Sequence, residues 1–420
     1  MNKKSLCLGI SLMIAQLSVA HAMPFGTFDP RSMAMGGTGV AAGTSANAAF
    51  FNPALLSTAN KDEDFSLEFP IVSVRIADQD EFIDRLDTFQ SNNTIDNFSN
   101  AITAYNAATP LQKLTTAKDL VVSTGSALVT GLGTLSNRDL EMEVMAGAAV
   151  GIPGKKFAVS VFVASRAMGG MVLDITQNDL SRIQAVLDGL ATNNLAAIID
   201  PITLQLIDPT TNMTSAVLGR GAVVSEVGIA LAKEFEFFGG VGVGMTPKFQ
   251  KVDTFDYALN IETADVTFNE GKKSYNSVNF DIGLGKDFKN NWKAGAVIKN
   301  LLPKSYTTAL GNKLETKPQV RVGAAHQTSW SVMSMDLDLL KNDPTAPGFD
   351  TPTQYASIGV ELDAFDLFQI RLGYRHNLSN SDTSVATAGL GFSPFGVHID
   401  VGVMGSSKEV ALGLQTGFRF

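Results

Sequence analysis

Glu409-Val410-Ala411-Leu412-Gly413-Leu414-Gln415-Thr416-Gly417-Phe418-Arg419-Phe420 occupies the last twelve positions. Val410, Leu412, Leu414, Thr416, Phe418 and Phe420 share one face of an extended chain, and Ala411, Gly413, Gln415, Gly417 and Arg419 share the other. A period of two is the signature of a strand. A strand of a soluble sandwich would read much the same, so the neighbouring segments decide. Val397, Ile399, Val401 and Val403 alternate with His398, Asp400, Gly402 and Met404. Phe368, Ile370, Leu372 and Tyr374 alternate with Gln369, Arg371, Gly373 and Arg375. Charge recurs opposite the apolar face in strand after strand. That pattern suits a closed barrel with lipid outside and a polar lumen inside.

Composition agrees. Of 420 residues, 45% are hydrophobic and only 17% charged, with 38 glycines, an unusual balance for a soluble chain of this size. A net charge of −9 argues against nucleic acid or anionic lipid as the main partner. Lys3 and Lys4, an apolar run from Leu6 to Val19, and Ala20-His21-Ala22 read as a secretory signal over 1–22, cleaved on export. The run is short for a helical anchor. The one cysteine, Cys7, lies within it, so the expected mature chain has no thiol for redox chemistry, a disulfide or a cysteine-based zinc site. No later apolar run approaches the ~18 residues of a spanning helix.

Residues 23–63 are rich in small side chains and show neither a strand nor a long amphipathic helix. Gly37-x-Gly39 followed by Gly43 imitates a dinucleotide loop but lacks the preceding strand that such a loop needs. Small residues let backbone pack closely in a confined space such as a lumen. Arg31-Ser32-Met33-Ala34-Met35-Gly36-Gly37 and then Asn52-Pro53-Ala54-Leu55 resemble the N-terminal plug of FadL-type fatty-acid transporters. They resemble equally the related OmpP1/TodX hydrocarbon-uptake barrels, the PorV-type secretion carriers and the plasmid conjugal-transfer TraF-like family. A final strand ending in Phe, as at Phe420, is also similar to that of outer-membrane barrels. The resemblance implies an outer-membrane location.

From 64 to 420 the chain reads as an all-β protein: a transmembrane antiparallel β-barrel of about 14 strands, with the plug before it. Pro70 breaks the phase of the first strand, which points to an edge or a bulge. Two stretches, near 78–138 and 169–220, change to helical spacing (Phe82, Leu86, Phe89; Leu180, Ile183, Val186, Leu187, Leu190) and read as insertions in outer loops. The alternate connections, such as 236–239, 289–291, 328–330, 363–366 and 393–396, are short and carry aromatics. Short periplasmic turns, long outer loops and an aromatic girdle are expected of such a barrel.

The candidate site residues follow. Asn52, Pro53 and Ala54 form a polar turn expected to hold the plug in register. Arg371, Arg375, Asp400 and Arg419 are expected to face the lumen, where they either bind a substrate carboxylate or, the weightier reading, pair with one another or with the plug. His326, His376 and His398 have no metal-binding spacing, and no nucleophile motif accompanies them. Neither catalysis nor a cofactor or metal is expected. Two functions remain open: passive uptake of hydrophobic small molecules of the fatty-acid or hydrocarbon class, or a non-transporting outer-membrane anchor or carrier in conjugal plasmid transfer or protein secretion. The expected partners are outer-membrane lipid and, according to the function, a hydrophobic ligand or the secretion or conjugation machinery. The helical insertions suit either a collecting groove or a docking surface.

Overall fold

The structure is a computed structural model, and it describes residues 29–58, 64–78, 80–136, 138–260, 271–342, 352–365 and 367–420. The expected leader at 1–22 and the stretch 59–63 lie outside the described residues. Sixteen strands are described: β1 Ser66–Ala77, β2 Asp139–Ile152, β3 Ala158–Asp174, β4 Ala216–Phe235, β5 Val241–Asn260, β6 Lys272–Asp287, β7 Trp292–Lys299, β8 Lys304–Thr307, β9 Lys313–Thr316, β10 Gln319–Gln327, β11 Ser331–Asp338, β12 Tyr355–Ala364, β13 Phe368–Asn377, β14 Val385–Phe392, β15 Val397–Gly405 and β16 Glu409–Arg419. Fourteen of them close an antiparallel barrel. Strands β8 and β9 form a separate hairpin, which period-two reading did not anticipate because each is only four residues long.

Closure runs through β1, which pairs with β2 on one side and β16 on the other. The phase break at Pro70 is a bulge between Glu68 and Ile71 in both pairings, so the strand is not an edge. An extra residue there returns Val72 and Val74 to the outer face. Val410, Leu412 and Leu414 of β16 are exposed, while Ala411 and Gln415 are buried. In β13, Ile370 and Leu372 are exposed while Gln369, Arg371 and Arg375 are buried. A wall with apolar side chains outward leaves no unpaired backbone in lipid, because every strand has two neighbours. No helix among the described residues is long and apolar enough to cross a membrane.

Between β1 and β2 lie helices Phe82–Ser91, Thr94–Ala107, Pro110–Lys113 and Thr116–Leu135, and between β3 and β4 lies Gln177–Ala191. All but the short Pro110–Lys113 share one core that includes Phe98, Ile102, Leu128, Leu132, Ile183 and Leu190. Each such side chain contributes about 1.5–3 kcal/mol on burial. Strands β3 and β4 extend further than their glycine-rich ends suggest. Gly169 and Gly221 are register partners. A Cβ on Gly221 would stand 2.5 Å from the Met168 carbonyl oxygen, so these glycines allow close strand packing rather than ending the strand.

The short turns gather at one end of the barrel, with Phe237, Phe365 and Phe395 almost fully exposed. The helical domain sits at the other end.

Candidate functional site

Residues 29–58 lie inside the barrel. Asp29 caps helix Pro30–Ala34 by accepting a hydrogen bond from Ser32 N at 2.9 Å, and Pro30 supplies a preset φ at the first turn. Pro53 likewise opens the 3-10 turn Pro53–Ser57, and Asn52 accepts from Ala54 N at 3.1 Å. The Asn52 amide also donates to the carbonyls of Val40 and, in the wall, Leu284, both at 2.9 Å. A fully buried Asn52 therefore joins two parts of the inner segment to β6. Asp336 of β11 accepts from Gly39 N and Val40 N at 2.8 and 3.1 Å, and Thr38 Oγ1 lies 2.6 Å from Ser334 Oγ. The segment's backbone groups, which have no strand partners, are thus bonded by wall side chains.

The wall opposite them is glycine. A Cβ on Gly244 would stand 2.4 Å from Ala54 N, on Gly283 1.9 Å from Asn52 Oδ1, and on Gly295 2.2 Å from the Val40 carbonyl oxygen. On the other side of the barrel, Gly359 and Gly373 would meet Met35 O and Gly36 N at 2.4 and 2.3 Å. These glycines are matched across strands: Gly244 with Gly283, and Gly359 with Gly373. Close approach of backbone to backbone is what requires them. Gly242 and Gly244, part of the β5 run Gly240–Gly244, belong to this contact.

The four inward charges fall into separate ion-pair groups. Arg371 Nε meets Glu361 at 2.5 Å and its Nη1 meets Asp400 at 2.6 Å. Arg31 of the inner segment donates to both oxygens of the same Glu361 at 2.8 Å. Arg419 reaches Glu68 at 3.3 Å, where His398 Nε2 also lies, 2.8 Å from the carboxylate. Arg375 belongs to a different group: it binds Glu409 at 2.7 Å, and Arg75 binds Glu409 at 2.8 Å and Glu141 at 3.2 Å. Arg31, Glu361, Glu68 and Glu409 carry as much of this arrangement as the residues singled out from sequence. Glu361 was accessible to the same alternation, since Val360 and Leu362 flank it on the outer face.

Near the helical domain, Leu173 and Val217 pack with its core from the outer face of β3 and β4. The lumen face of these strands is apolar as well. Val172, Val224, Leu218 and Met168, on the same two strands, pack with Tyr306 and Leu314 of the β8–β9 hairpin. Below them, Met168 and Val224 line a cavity of about 70 Å³ with Phe50, Met145 and Phe162. The rings of Phe50 and Phe162 meet edge-on at 5.3 Å, and Phe51, Leu55, Leu56 and Ile71 continue the cluster. The cavity's charged groups are engaged: Lys248 meets Glu226 and Asp281, each at 3.1 Å, Lys299 donates to Phe50 O at 2.8 Å, and Arg166 pairs with Glu143. The groove on the helical domain mixes polar groups such as Asp84, Arg85, Asn92, Asn97 and Thr130 with apolar ones such as Phe89 and Ala127. Among the described residues no cluster of metal-ligating side chains occurs.

The family model described as "F plasmid transfer operon, TraF, protein" matches residues 49–338. The comparison with curated proteins finds no match. Among solved structures, the toluene transporter TbuX of Ralstonia pickettii superposes with a TM-score of 0.51 at 13% identity, covering 94% of this chain and 98% of that one. The monoaromatic hydrocarbon channel TodX, as a deltaS2S3 mutant, gives 0.52 at 11% identity over 94% and 99%. A Pseudomonas aeruginosa FadL homologue gives 0.50 at 10% identity over 96% and 100%. At such identities the likeness is one of fold: a barrel of the FadL type.

Proposed function

The chain belongs to the family described as F plasmid transfer operon, TraF, protein, and within that family we propose that it is an outer-membrane barrel for passive uptake of hydrophobic small molecules. In this reading 1–22 is a cleaved leader, 23–63 is the plug of a 64–420 barrel, and the short-turn end faces the periplasm. The observation that carries it is the succession of apolar clusters on the lumen face of β3 and β4, from the β8–β9 hairpin through the 70 Å³ cavity to Phe50. An apolar solute moving along that side leaves water once and meets no unpaired charge on the way, which is the condition for passive transfer. At about 70 Å³ the cavity is smaller than one that holds a benzene ring, so Met145 and Met168 must rearrange to admit even a monoaromatic ligand. The titled substrates of the two hydrocarbon channels of like fold agree with that class.

The test is entry of radiolabelled toluene into cells that lack the gene and cells that carry it. Expression should raise entry several-fold, and Val224→Glu, which places a charge in the cavity wall, should abolish the gain while the barrel still assembles. Equal entry with and without the protein would sink the reading. A second reading, a non-transporting anchor or carrier in plasmid transfer or secretion, is supported by the family's description and by the tight seating of the inner segment on the wall glycines. A fall in plasmid-transfer frequency on deletion, with toluene entry unchanged, would favour it.

A further inference from the structure

The lipid-facing wall is not uniformly bulky. Between β7 and β13 it carries two rows of outward positions in register. One row is Trp292, His326, Met333, Val360 and Leu372. The next is Ala294, Ala324, Met335, Ile358 and Tyr374. Inside contacts fix the facing of the small members. Gly295 meets the Val40 carbonyl and Ala325 packs with Met35, so Ala294 and Ala324 point out. Small outward residues occur elsewhere too, as at Ala146, Ala167, Ala386 and Ala388, but none of these four is paired with a second outward alanine. Here Ala324, register partner of Ala294, opens an apolar groove walled by Met333, Met335, Ile358, Leu372 and Tyr374.

The groove has a distinct mouth. Both tryptophans of the chain, Trp292 and Trp330, lie at the short-turn end, exposed, on two adjacent turns joined by the Gln327 N to Asn291 O hydrogen bond of 3.0 Å. The Trp292 ring meets His326 edge-on at 5.1 Å. Indole rings favour the headgroup level, where one edge is wet and the body is apolar. Lys289 sits in the three-residue turn before Trp292 and is exposed. From that mouth the rows cross five strands, four spacings of ~4.8 Å or about 19 Å around the wall. With strands tilted by about 35–45°, they descend by roughly 11–13 Å, comparable to the ~15 Å half-thickness of the hydrocarbon core.

We infer that this groove binds one phospholipid of the leaflet at the short-turn end, its acyl chain lying over Ala294 and Ala324 between the methionines and its phosphate at Lys289, Trp292 and Trp330. A cation, two indoles and a dent of one leaflet's depth match an anionic headgroup with a chain attached. They do not match a flat protein surface, which would need bulk to meet the alanines. Methionine walls adapt to a chain with variable unsaturation.

The tryptophans supply the assay, since they are the chain's whole complement. Purified barrel in detergent is titrated with phosphatidylglycerol brominated in the acyl chain, and tryptophan emission is followed. Saturable quenching at one lipid per barrel is expected, together with a matching one-lipid mass increment by native mass spectrometry. The double variant Ala294→Phe/Ala324→Phe fills the groove from the lipid side and should lose the saturable phase. Lys289→Gln should weaken it several-fold. Val403→Phe, on β15 outside the groove, should behave as the parent. Heat-modified gel mobility establishes that each variant is folded, and Lys289→Gln, in an exposed turn, provides a test even where the double variant does not assemble. Linear quenching without saturation in the parent, or saturation unaffected by both Lys289→Gln and the double variant, overturns the inference. Dimers that disappear in the double variant overturn it too, because the groove would then hold a second copy.

Discussion

Glu361 is the residue on which the inner segment and the wall converge. Two guanidiniums, from Arg31 and Arg371, share its buried carboxylate. Neutralising it leaves two cations facing one another in a poorly solvated space. Removing one partner of such a group costs about 3–5 kcal/mol. Glu361→Gln is therefore expected to lower the urea midpoint of heat-modified gel mobility strongly. Asp400→Asn should cost distinctly less, because Arg371 keeps Glu361. On the other face of the same strand as Asp400, Ile399→Arg puts a charge into lipid, at about 2–4 kcal/mol near the midplane. The order Glu361→Gln and Ile399→Arg above Asp400→Asn is the prediction; equal midpoints for all three would contradict both the facing and the pairing.

At the scale of elements, Asp179 ties helix Gln177–Ala191 to the chain entering β4. Its carboxylate accepts from Thr214 N at 2.8 Å and from Ser215 N and Oγ at 2.6 Å. Burial raises the carboxyl's pKa, but the hydrogen bonds from Ser215 and Thr214 outweigh it, and the net direction is below the ordinary carboxylate value. A depressed folded-state pKa stabilises above the unfolded value and ceases to do so as pH falls through the folded one. The helical domain should accordingly keep its protection at neutral pH and loosen only in acid below about pH 4, where a free aspartate protonates. Hydrogen exchange of residues 177–191 against pH checks this, and Asp179→Asn should show the loosened state at pH 7. Gly373→Val tests the inner contact in the same way. Its side chain would drive Gly36 off the wall, an overpacking cost of about 1–3 kcal/mol, and should make residues 31–56 susceptible to protease added from the short-turn end.

For the whole molecule, the inner segment is proposed to decide whether the barrel is shut. Strand pairing closes the cylinder without it, since β1 meets both β2 and β16. Deleting 31–56 should thus leave an assembled barrel that passes small polar solutes. Single-channel conductance in planar bilayers should rise from near zero in the parent to porin-like values in the deletion variant. A parent already conducting, or a deletion variant no more conductive than it, would remove the seal from the account. Protease on intact cells fixes the orientation: cleavage is expected within 78–138 and 175–215, since β3 and β4 extend into the expected insertion at 169–220, and cleavage confined to 236–239 or 393–396 would invert the barrel.

The barrel itself was legible in the sequence. Alternation is a local property with a period of two, so Val397 to Met404 and Val410 to Arg419 display their two faces without knowledge of their neighbours. The bulge at Pro70 could be narrowed to two options, and closure of β1 on β16 chose between them. The inner contacts were legible only in part. Gly240–Gly244 read as strand glycine beside the plug, but Gly283, Gly359 and Gly373 read as weak strand positions, because the residues that require them come from 35–54, hundreds of positions away in places. The inward charges were visible one strand at a time, but their partners were not. Whether Arg371 meets Asp400, and whether Glu361 binds Arg31, depends on strand register and on where the inner segment rests. The outer groove likewise needed five strands aligned before two ordinary alanines became a dent. Periodicity along one strand determined the fold and its two faces; the contacts across strands, set by register and closure, existed only once the tertiary structure had brought them together.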